Sequence, residues 1–144
     1  MAKKFLIPQE QKRVVKAIES AELNTSGEIR VHIESFCSGD SLERAIYIFE
    51  KIGMHKTVQR NGVLIYIAFR SHKLAIIGDD GINSKVAENF WQQEIELLSD
   101  YIKKGKAADG LVAAIEAIGN RLNEIFPHKE GDINEQSNEI SFGE

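Results

Sequence analysis

The sequence is poor in cysteine, histidine and proline, and these shortages exclude several classes of protein. It contains one cysteine, Cys37, so no disulfide can form within the chain. One cysteine and four scattered histidines give no CxxC or HxxxH spacing, which excludes the usual zinc-binding motifs. With 42% hydrophobic residues, the composition is that of a globular domain rather than of a disordered or fibrous protein.

Long apolar runs and excess positive charge are also missing. No hydrophobic stretch approaches the roughly 20 residues of a membrane span, and the apolar part of residues 1–8 is too short for a signal peptide. These features predict a soluble, cytoplasmic chain without a membrane segment. The net charge of −4 comes wholly from residues 128–144, so residues 1–127 are neutral and have no basic stripe for a phosphate backbone. We therefore expect no nucleic-acid partner.

Length and charge together predict one folded domain followed by a tail. A chain of 144 residues has the size of a single domain, and no internal repeat or low-complexity linker divides it. Residues 128–144 carry five acidic side chains and one lysine. We expect a domain over residues 1–127 and an acidic, flexible tail over residues 128–144.

The run from residue 60 to residue 83 contains the clearest structural pattern. Val63–Phe69 is an unbroken apolar, β-prone run, which is typical of a strand covered on both faces. A polar turn at residues 70–73 separates it from the apolar residues 74–77, as in a β-hairpin. The second strand should stop at Gly78-Asp79-Asp80-Gly81, because glycine and aspartate disfavour strands. The hairpin therefore delivers two carboxylates to one edge of a sheet.

The other elements follow from hydrophobic periodicity. A first helix should span about residues 8–23, and an alternating strand about residues 29–33, near a sheet edge with one face buried. A second helix, capped by Asp40 and Glu43, should bury Leu42, Ala45, Ile46, Phe49 and Ile52 and end near Gly53. A third, capped by Asn83 or Ser84, should run to residues 103–105, and a fourth should end at Pro127. Residues 140–142 offer a short extra edge strand.

This order predicts an α/β fold with a small mixed sheet of three to four strands and about four helices. The first two strands, joined by a helix, should be parallel, and the hairpin strands antiparallel. Glu28, Asn61, Asp79, Asp80 and Asn83 should then meet at one edge of the sheet. Oxygen ligands without sulfur or paired imidazoles suit Ca²⁺ or Mg²⁺, so these five residues are the candidate metal ligands. Main-chain carbonyls of residues 57–61 could complete the coordination.

A structural explanation of the same residues stays open. Asp79, Asp80 and Asn83 precede a predicted helix, where carboxylates stabilise the first turn by about 0.3 to 1 kcal/mol each. The order of acidic residues is not that of an EF-hand, whose twelfth position is glutamate and here is Phe90. The chain also lacks the GxGxxG, GxxxxGK[ST] and GxSxG motifs of nucleotide binding and serine hydrolysis.

A series of short motifs resembles the TPM domain family over about residues 10–127. The motifs are Ser26-Gly27-Glu28-Ile29-Arg30-Val31, Gly53-Met54-His55, Arg60-Asn61-Gly62-Val63-Leu64, Gly78-Asp79-Asp80-Gly81-Ile82, Phe90-Trp91 and Asp109-Gly110-Leu111 through Phe126-Pro127. The resemblance implies a three-layer α/β/α sandwich around a mixed sheet, in agreement with the periodicity. The family includes a plant thylakoid-lumen protein linked to photosystem II repair, for which acid phosphatase activity is claimed, and membrane-anchored bacterial proteins. Binding of divalent metal at the sheet edge is also associated with it.

The resemblance leads to three hypotheses about function. The first is a stand-alone bacterial TPM-like domain that binds one or two Ca²⁺ or Mg²⁺ ions, which order the loops at residues 54–61 and 79–85. The second is a metal-dependent acid phosphatase acting on small phosphate esters, with Arg60 holding the phosphate; no nucleophile is assigned, so enzymatic activity stays an open question. The third is a protein-interaction domain that uses helix faces or the acidic tail.

Overall fold

The structure is a computed structural model that describes residues 2–128 and 134–144. A short 3-10 turn at Ala2–Lys4 precedes the regular elements. In chain order, these are α1 (Pro8–Glu22), β1 (Glu28–Glu34), α2 (Ser41–Lys51), β2 (Gly62–Ala68), β3 (Lys73–Gly78), α3 (Asp80–Asn83), α4 (Gln92–Lys103), α5 (Ala107–Ile125) and β4 (Ser141–Phe142).

The four strands form one mixed sheet in the order β3-β2-β1-β4. Strand β1 pairs in parallel with both β2 and β4, and β2 pairs antiparallel with β3. Glu28 stands opposite Gly62, and Gly78 stands opposite Val63. The starts of β1 and β2 and the end of β3 therefore lie at the same edge, as the sequence predicts.

Helices cover both faces of the sheet. On one face, α2 packs its buried residues Ala45, Ile48 and Phe49 against Leu64, Tyr66 and Ala68 of β2. On the other face, residues of α1, α4 and α5 pack in one core with the alternate residues of β1 and β2. This arrangement confirms the three-layer α/β/α sandwich. In the part of the chain that the structure describes, no helix has the length and apolar character needed to cross a membrane.

The strand predicted as the centre of the core is central. All seven residues of β2 are buried, and they supply side chains to both cores in alternation. An unbroken apolar run is favourable at this position because helices exclude water from both faces of the strand.

The burial of β1 differs from the sequence prediction. The strand lies near a sheet edge, as expected, because only the two-residue β4 pairs with it on the side away from β2, but it does not have just one buried face. Its polar residues are buried as well as its apolar ones: Glu28, His32 and Glu34 are each less than 5% exposed. The alternation of apolar and polar residues in β1 therefore separates a hydrophobic face from a buried polar face, rather than from solvent.

Two helical predictions also need correction. The third predicted helix is two separate helices, because Asp79 caps the four-residue α3 directly after β3, and α4 begins only at Gln92. The structure thus has five α-helices among the described residues instead of about four. In α2, Leu42 and Ile46 are half-exposed rather than buried, since the face that meets the sheet is centred on Ala45, Ile48 and Phe49.

The C-terminal segment contacts the loop after α2 and the end of β1. Gln136 Nε2 donates to Gly53 O at 3.0 Å, Gly143 N donates to Ile33 O at 2.8 Å, and Ser35 N donates to Glu144 O at 2.8 Å. The short strand predicted at residues 140–142 is confirmed as β4. Part of the predicted acidic tail, residues 129–133, lies outside the described residues. The flexibility assigned to the tail stays a prediction.

Candidate functional site

Main chains from three elements converge at the edge where the acidic residues were predicted to meet. Glu28 N donates to Asn61 O at 3.3 Å, which joins the start of β1 to the residue before β2. Asp79 N donates to Gly62 O at 2.9 Å, which joins the end of β3 to the start of β2. The side chains of these residues, however, divide into two groups on either side of β2.

The first group consists of Arg60, Asp79 and Asp80. Arg60 Nε lies 2.7 Å from Asp79 Oδ2, and Arg60 Nη2 lies 2.8 Å from Asp79 Oδ1. Asp79 Oδ1 also accepts from Asp80 N at 2.7 Å, so this carboxylate caps α3 as well. Asp80 is largely exposed, and its Oδ2 is 3.6 Å from Arg60 Nη2. Both oxygens of Asp79 are therefore engaged by protein donors.

Gly81 holds the loop before β2 against the start of α3. Its N–H donates to Arg60 O at 2.8 Å. A Cβ atom at this position would lie 2.2 Å from Gln59 O and 2.5 Å from Arg60 O, both of them backbone atoms. Only glycine allows this approach. The contact fixes Arg60 in a left-handed backbone conformation, with φ of 51°, from which its side chain reaches Asp79.

The second group consists of Glu22, Glu28 and Glu135. Glu28 is 2% exposed, its carboxylate accepts from Glu135 N, and it lies against the carboxyl group of Glu22. Glu22 Oε2 in turn accepts from Ile29 N at 2.8 Å, and Glu135 Oε2 accepts from Val58 N at 3.2 Å. This group thus connects the end of α1, the start of β1, the loop before β2 and the C-terminal segment.

The surroundings of Glu22 and Glu28 favour carboxyl groups that are either protonated or neutralised by a bound cation. Burial raises the pKa of Glu22 and of Glu28, and the negative charge of neighbouring carboxylates raises both pKa values further. Hydrogen bonds from the main-chain N–H groups of Ile29 and Glu135 act in the opposite direction but do not offset these effects. The pair is therefore costly to keep ionised without a positive partner.

A cavity of about 300 Å³ opens beside Glu22 and Glu28. Most of its lining residues carry side-chain oxygen atoms: Glu19, Glu22, Thr25, Ser26, Glu28, Asn134 and Asn138 line it together with Leu23, Gly27 and His128.

The remaining predicted ligands lie apart from one another. Asn61 is fully buried; its Nδ2 lies 3.4 Å from Ser26 Oγ, and its Oδ1 has no hydrogen-bond partner among the described residues. Asn83 is exposed at the end of α3. In residues 2–128 and 134–144, no three histidine, cysteine, aspartate or glutamate side chains form a group that could hold a metal ion. A cation here would need amide, hydroxyl or water oxygens in addition to a carboxylate pair.

Glu22 and Glu135 were not predicted from the sequence as members of this site. Glu22 ends α1, and the turn at residues 24–27 reverses the chain and brings Glu22 back against the start of β1. A short polar turn between a helix and a strand is a usable signal for such an approach. Glu135 reaches Glu28 because the C-terminal segment returns along β1, and no local sequence pattern indicates that path.

Comparison with known proteins is consistent with this fold. The family model for the TPM domain matches residues 2–121. The NMR structure of BA42, a protein from the psychrophilic bacterium Bizionia argentinensis, superposes with a TM-score of 0.90 at 43% sequence identity, and the match covers 96% of each chain. Comparison with the curated proteins gave no match.

Proposed function

The chain belongs to the TPM domain family, and on that premise we propose that it binds a divalent cation, Ca²⁺ or Mg²⁺, at the edge of the sheet where β1 begins. The proposed ligands are centred on Glu28 and Glu22. Binding would order the loop at residues 53–58 and the segment at residues 134–136 together, because hydrogen bonds already join them. Val58 N donates to the Glu135 carboxylate, and Gln136 Nε2 donates to Gly53 O.

One observation supports this proposal most directly. Four carboxylate side chains are buried among the described residues, and three of them pair with an arginine: Glu34 with Arg44, Asp79 with Arg60, and Glu94 with Arg121. Glu28 is the exception. No ion pair in residues 2–128 and 134–144 includes it, and its carboxylate faces other carboxylates instead. A buried carboxylate without a positive partner is costly, and a bound cation would supply the missing positive charge.

The chemistry of the donors fits a hard cation. Glu22 and Glu28 provide carboxylate oxygens, and Asn134 and Asn138 line the same cavity with amide oxygens. The unpartnered Oδ1 of Asn61 is a further buried oxygen near this edge. Ca²⁺ accepts six to eight oxygen ligands in flexible geometry, whereas Mg²⁺ requires a near-ideal octahedron. This mixed set with room for water therefore favours Ca²⁺. When bound, the cation would neutralise the carboxylates and join α1, β1 and the C-terminal segment.

A second ion at Asp79, Asp80 and Asn83 would require a rearrangement. Both Asp79 oxygens accept hydrogen bonds from Arg60, so Arg60 would have to turn away before Asp79 could bind a cation. The same pairing bears on the phosphatase hypothesis, since Arg60 is the cation predicted to hold phosphate. Neither phosphatase activity nor a protein-interaction role is favoured by a specific contact at this edge.

Cation binding is tested by titrating chelator-treated protein with Ca²⁺ and Mg²⁺ and following heat release and amide NMR shifts. We expect saturable binding with shifts centred on residues 22, 28, 53–58 and 134–136, and loss of binding in Glu28→Gln. Glu96→Gln, an exposed glutamate of α4, is the matched control and should bind like the unmodified chain. Absence of saturable binding, or equal binding by Glu28→Gln, would reject the proposal.

A further inference from the structure

The polar face of β1 continues beyond Glu28 with side chains that the cation proposal does not use. Arg30, His32 and Glu34 stand opposite Leu64, Tyr66 and Ala68 of β2 and so lie on the α2 side of the sheet. Helix α2 packs mainly over β2 and β3 and does not cover this half of the face. The space left beside it is a cavity of about 980 Å³ between α2, β1 and β4, which we call the α2 cleft.

The α2 cleft has the position expected of a ligand site. Strands β1, β2 and β4 are parallel, and Ser35 and Phe36, directly after β1, line the cleft. In open α/β sheets, ligands bind preferentially outside the carboxyl ends of the parallel strands. The volume also lies at the upper end of the range of about 300 to 1,000 Å³ that is typical of small-molecule sites. The cation site, by contrast, is at the amino end of β1.

Hydrogen bonds within the cleft satisfy its buried carboxylate completely. Glu34 accepts from Arg44 Nε at 2.9 Å and Arg44 Nη2 at 3.0 Å, and also from Tyr66 Oη. His32 Nε2 lies 3.3 Å from Glu34 Oε1, and His32 Nδ1 lies 2.9 Å from Ser141 Oγ. The charge of Glu34 is therefore matched by Arg44 and is not available to neutralise other cations.

Positive charge is left over around the cleft. Lys3 and Lys51 line it, both are exposed, and neither takes part in an ion pair among the described residues. Apart from Glu34, Glu144 is the only carboxylate residue among the lining residues.

The rest of the lining is apolar. Ala2, Phe36, Ile48, Ile52 and Phe142 contribute to it, and Phe36 is 67% exposed. The cleft therefore combines an apolar wall with unpaired cationic groups at its rim.

We propose that the α2 cleft binds a small amphiphilic anion, a molecule with one carboxylate or phosphate group and an apolar body. Lys51, Lys3 and the outer face of Arg44 bind the anionic group, and Phe36, Ile48 and Ile52 contact the apolar body. A purely structural role explains the Glu34–Arg44 pair and the contact of His32 with Ser141. It does not explain a cavity of about 980 Å³ that has lysines at its rim and an apolar wall.

The proposal can be tested with 1-anilinonaphthalene-8-sulfonate, an aromatic anion whose fluorescence rises in apolar sites. We expect saturable binding to the full chain, with displacement by octanoate or phenyl phosphate and at least tenfold weaker displacement by neutral octanol. Octanoate being the stronger competitor would identify a carboxylate ligand, and phenyl phosphate a phosphate ligand. Amide NMR shifts on binding should centre on residues 32–36, 44–52 and 141–143.

Charge-reversal variants provide the decisive comparison. Lys51→Glu should raise the Kd of the probe about tenfold, which corresponds to about 1.4 kcal/mol, and Lys3→Glu should act in the same direction. Lys106→Glu, an exposed lysine at the start of α5 on the opposite face of the sheet, should leave the Kd unchanged. Because all three lysines are exposed, the variants should fold, and far-ultraviolet circular dichroism checks this. Absence of saturable binding, equal competition by octanol and octanoate, shifts outside the cleft, or equal effects of Lys51→Glu and Lys106→Glu would overturn the proposal.

Discussion

Glu34 and Arg44 form a two-point ion pair that joins the last residue of β1 to α2, with N–O distances of 2.9 and 3.0 Å. The Glu34 side chain is 4% exposed and the Arg44 side chain 38% exposed, so the carboxylate is buried while the guanidinium partly meets solvent. Tyr66 Oη donates to the same carboxylate from β2. One carboxylate thus holds together three elements beneath the α2 cleft.

Because of this arrangement, the free energy of unfolding should depend on pH in the acidic range. Burial acts to raise the pKa of Glu34, but the hydrogen bonds from Arg44, Tyr66 and His32 outweigh it and lower the pKa to about 2. Because the folded pKa lies below the ordinary value of 4.5, the stabilisation is fully present above pH 4.5 and is lost as the pH falls towards 2. We expect a loss of about 3 kcal/mol over this interval.

Urea unfolding at several pH values between 2.5 and 6 measures that loss. Glu34→Gln should be less stable than the unmodified chain at pH 6, and its stability should fall less steeply below pH 4.5. Glu96→Gln, which changes an exposed glutamate, should keep the steep dependence. Parallel pH profiles for Glu34→Gln and the unmodified chain would show that Glu34 is not responsible.

Gly81 should tolerate no side chain. A Cβ atom there would lie 2.2 Å from Gln59 O and 2.5 Å from Arg60 O, so Gly81→Ala must separate the loop before β2 from α3. We expect a loss of about 2 kcal/mol or more in the free energy of unfolding, as is usual for backbone incompatibility at a close approach. Gly39→Ala is the control, because a Cβ atom there would meet nothing within 4 Å. It should be neutral or slightly stabilising, since alanine restricts the unfolded chain. Equal stability of the two variants in urea would contradict the predicted contact.

The sequence predicts the fold well where one local pattern decides the structure. Val63–Ala68 is apolar throughout, and it forms the central strand because both helical layers cover it. The place of β1 near a sheet edge was predicted correctly, but the burial of its polar face was not, because the segment with β4 that covers it lies far along the chain. Its alternating residues also resemble a solvent-exposed strand, although Glu34 and His32 are buried by contacts with Arg44 and Ser141.

The candidate site was predictable to a similar extent. The sequence placed Glu28, Asn61 and Asp79 at one edge, and their main chains are joined there by hydrogen bonds through the start of β2. It did not indicate that Asp79 turns to Arg60 while Glu28 turns to Glu22 and Glu135. Side-chain direction at the end of a strand depends on which loops pack beside it, and these loops come from distant parts of the chain.

Calcium should stabilise the folded chain through Glu28. A ligand that binds only the folded state raises stability by about 2.7 kcal/mol when its concentration is 100 times the Kd. We therefore expect the Tm of chelator-treated protein to rise when Ca²⁺ is added, and the Tm of Glu28→Gln to stay constant. In the absence of Ca²⁺, Glu28→Gln should be at least as stable as the unmodified chain, because it removes a buried carboxylate that lies against the half-buried Glu22. A calcium-dependent Tm in Glu28→Gln would place the cation elsewhere.

The Asp79→Asn variant tests which of the two acidic groups at this edge binds the cation. Asparagine is as good a helix cap as aspartate, so the start of α3 should persist, but the charge that binds Arg60 is lost. With 45% of the Arg60 side chain exposed, the released guanidinium can be hydrated, and we expect a cost of about 1 kcal/mol in urea unfolding.

If one cation binds at Glu22 and Glu28, calorimetry should give the same Kd and stoichiometry for Asp79→Asn as for the unmodified chain. A fall in stoichiometry from two ions to one would instead identify Asp79 as a ligand of a second ion, and would mean that Arg60 leaves Asp79 when that ion binds. Loss of all binding in Asp79→Asn, with Glu28→Gln unaffected, would move the site to the other side of β2 and contradict the assignment to Glu28.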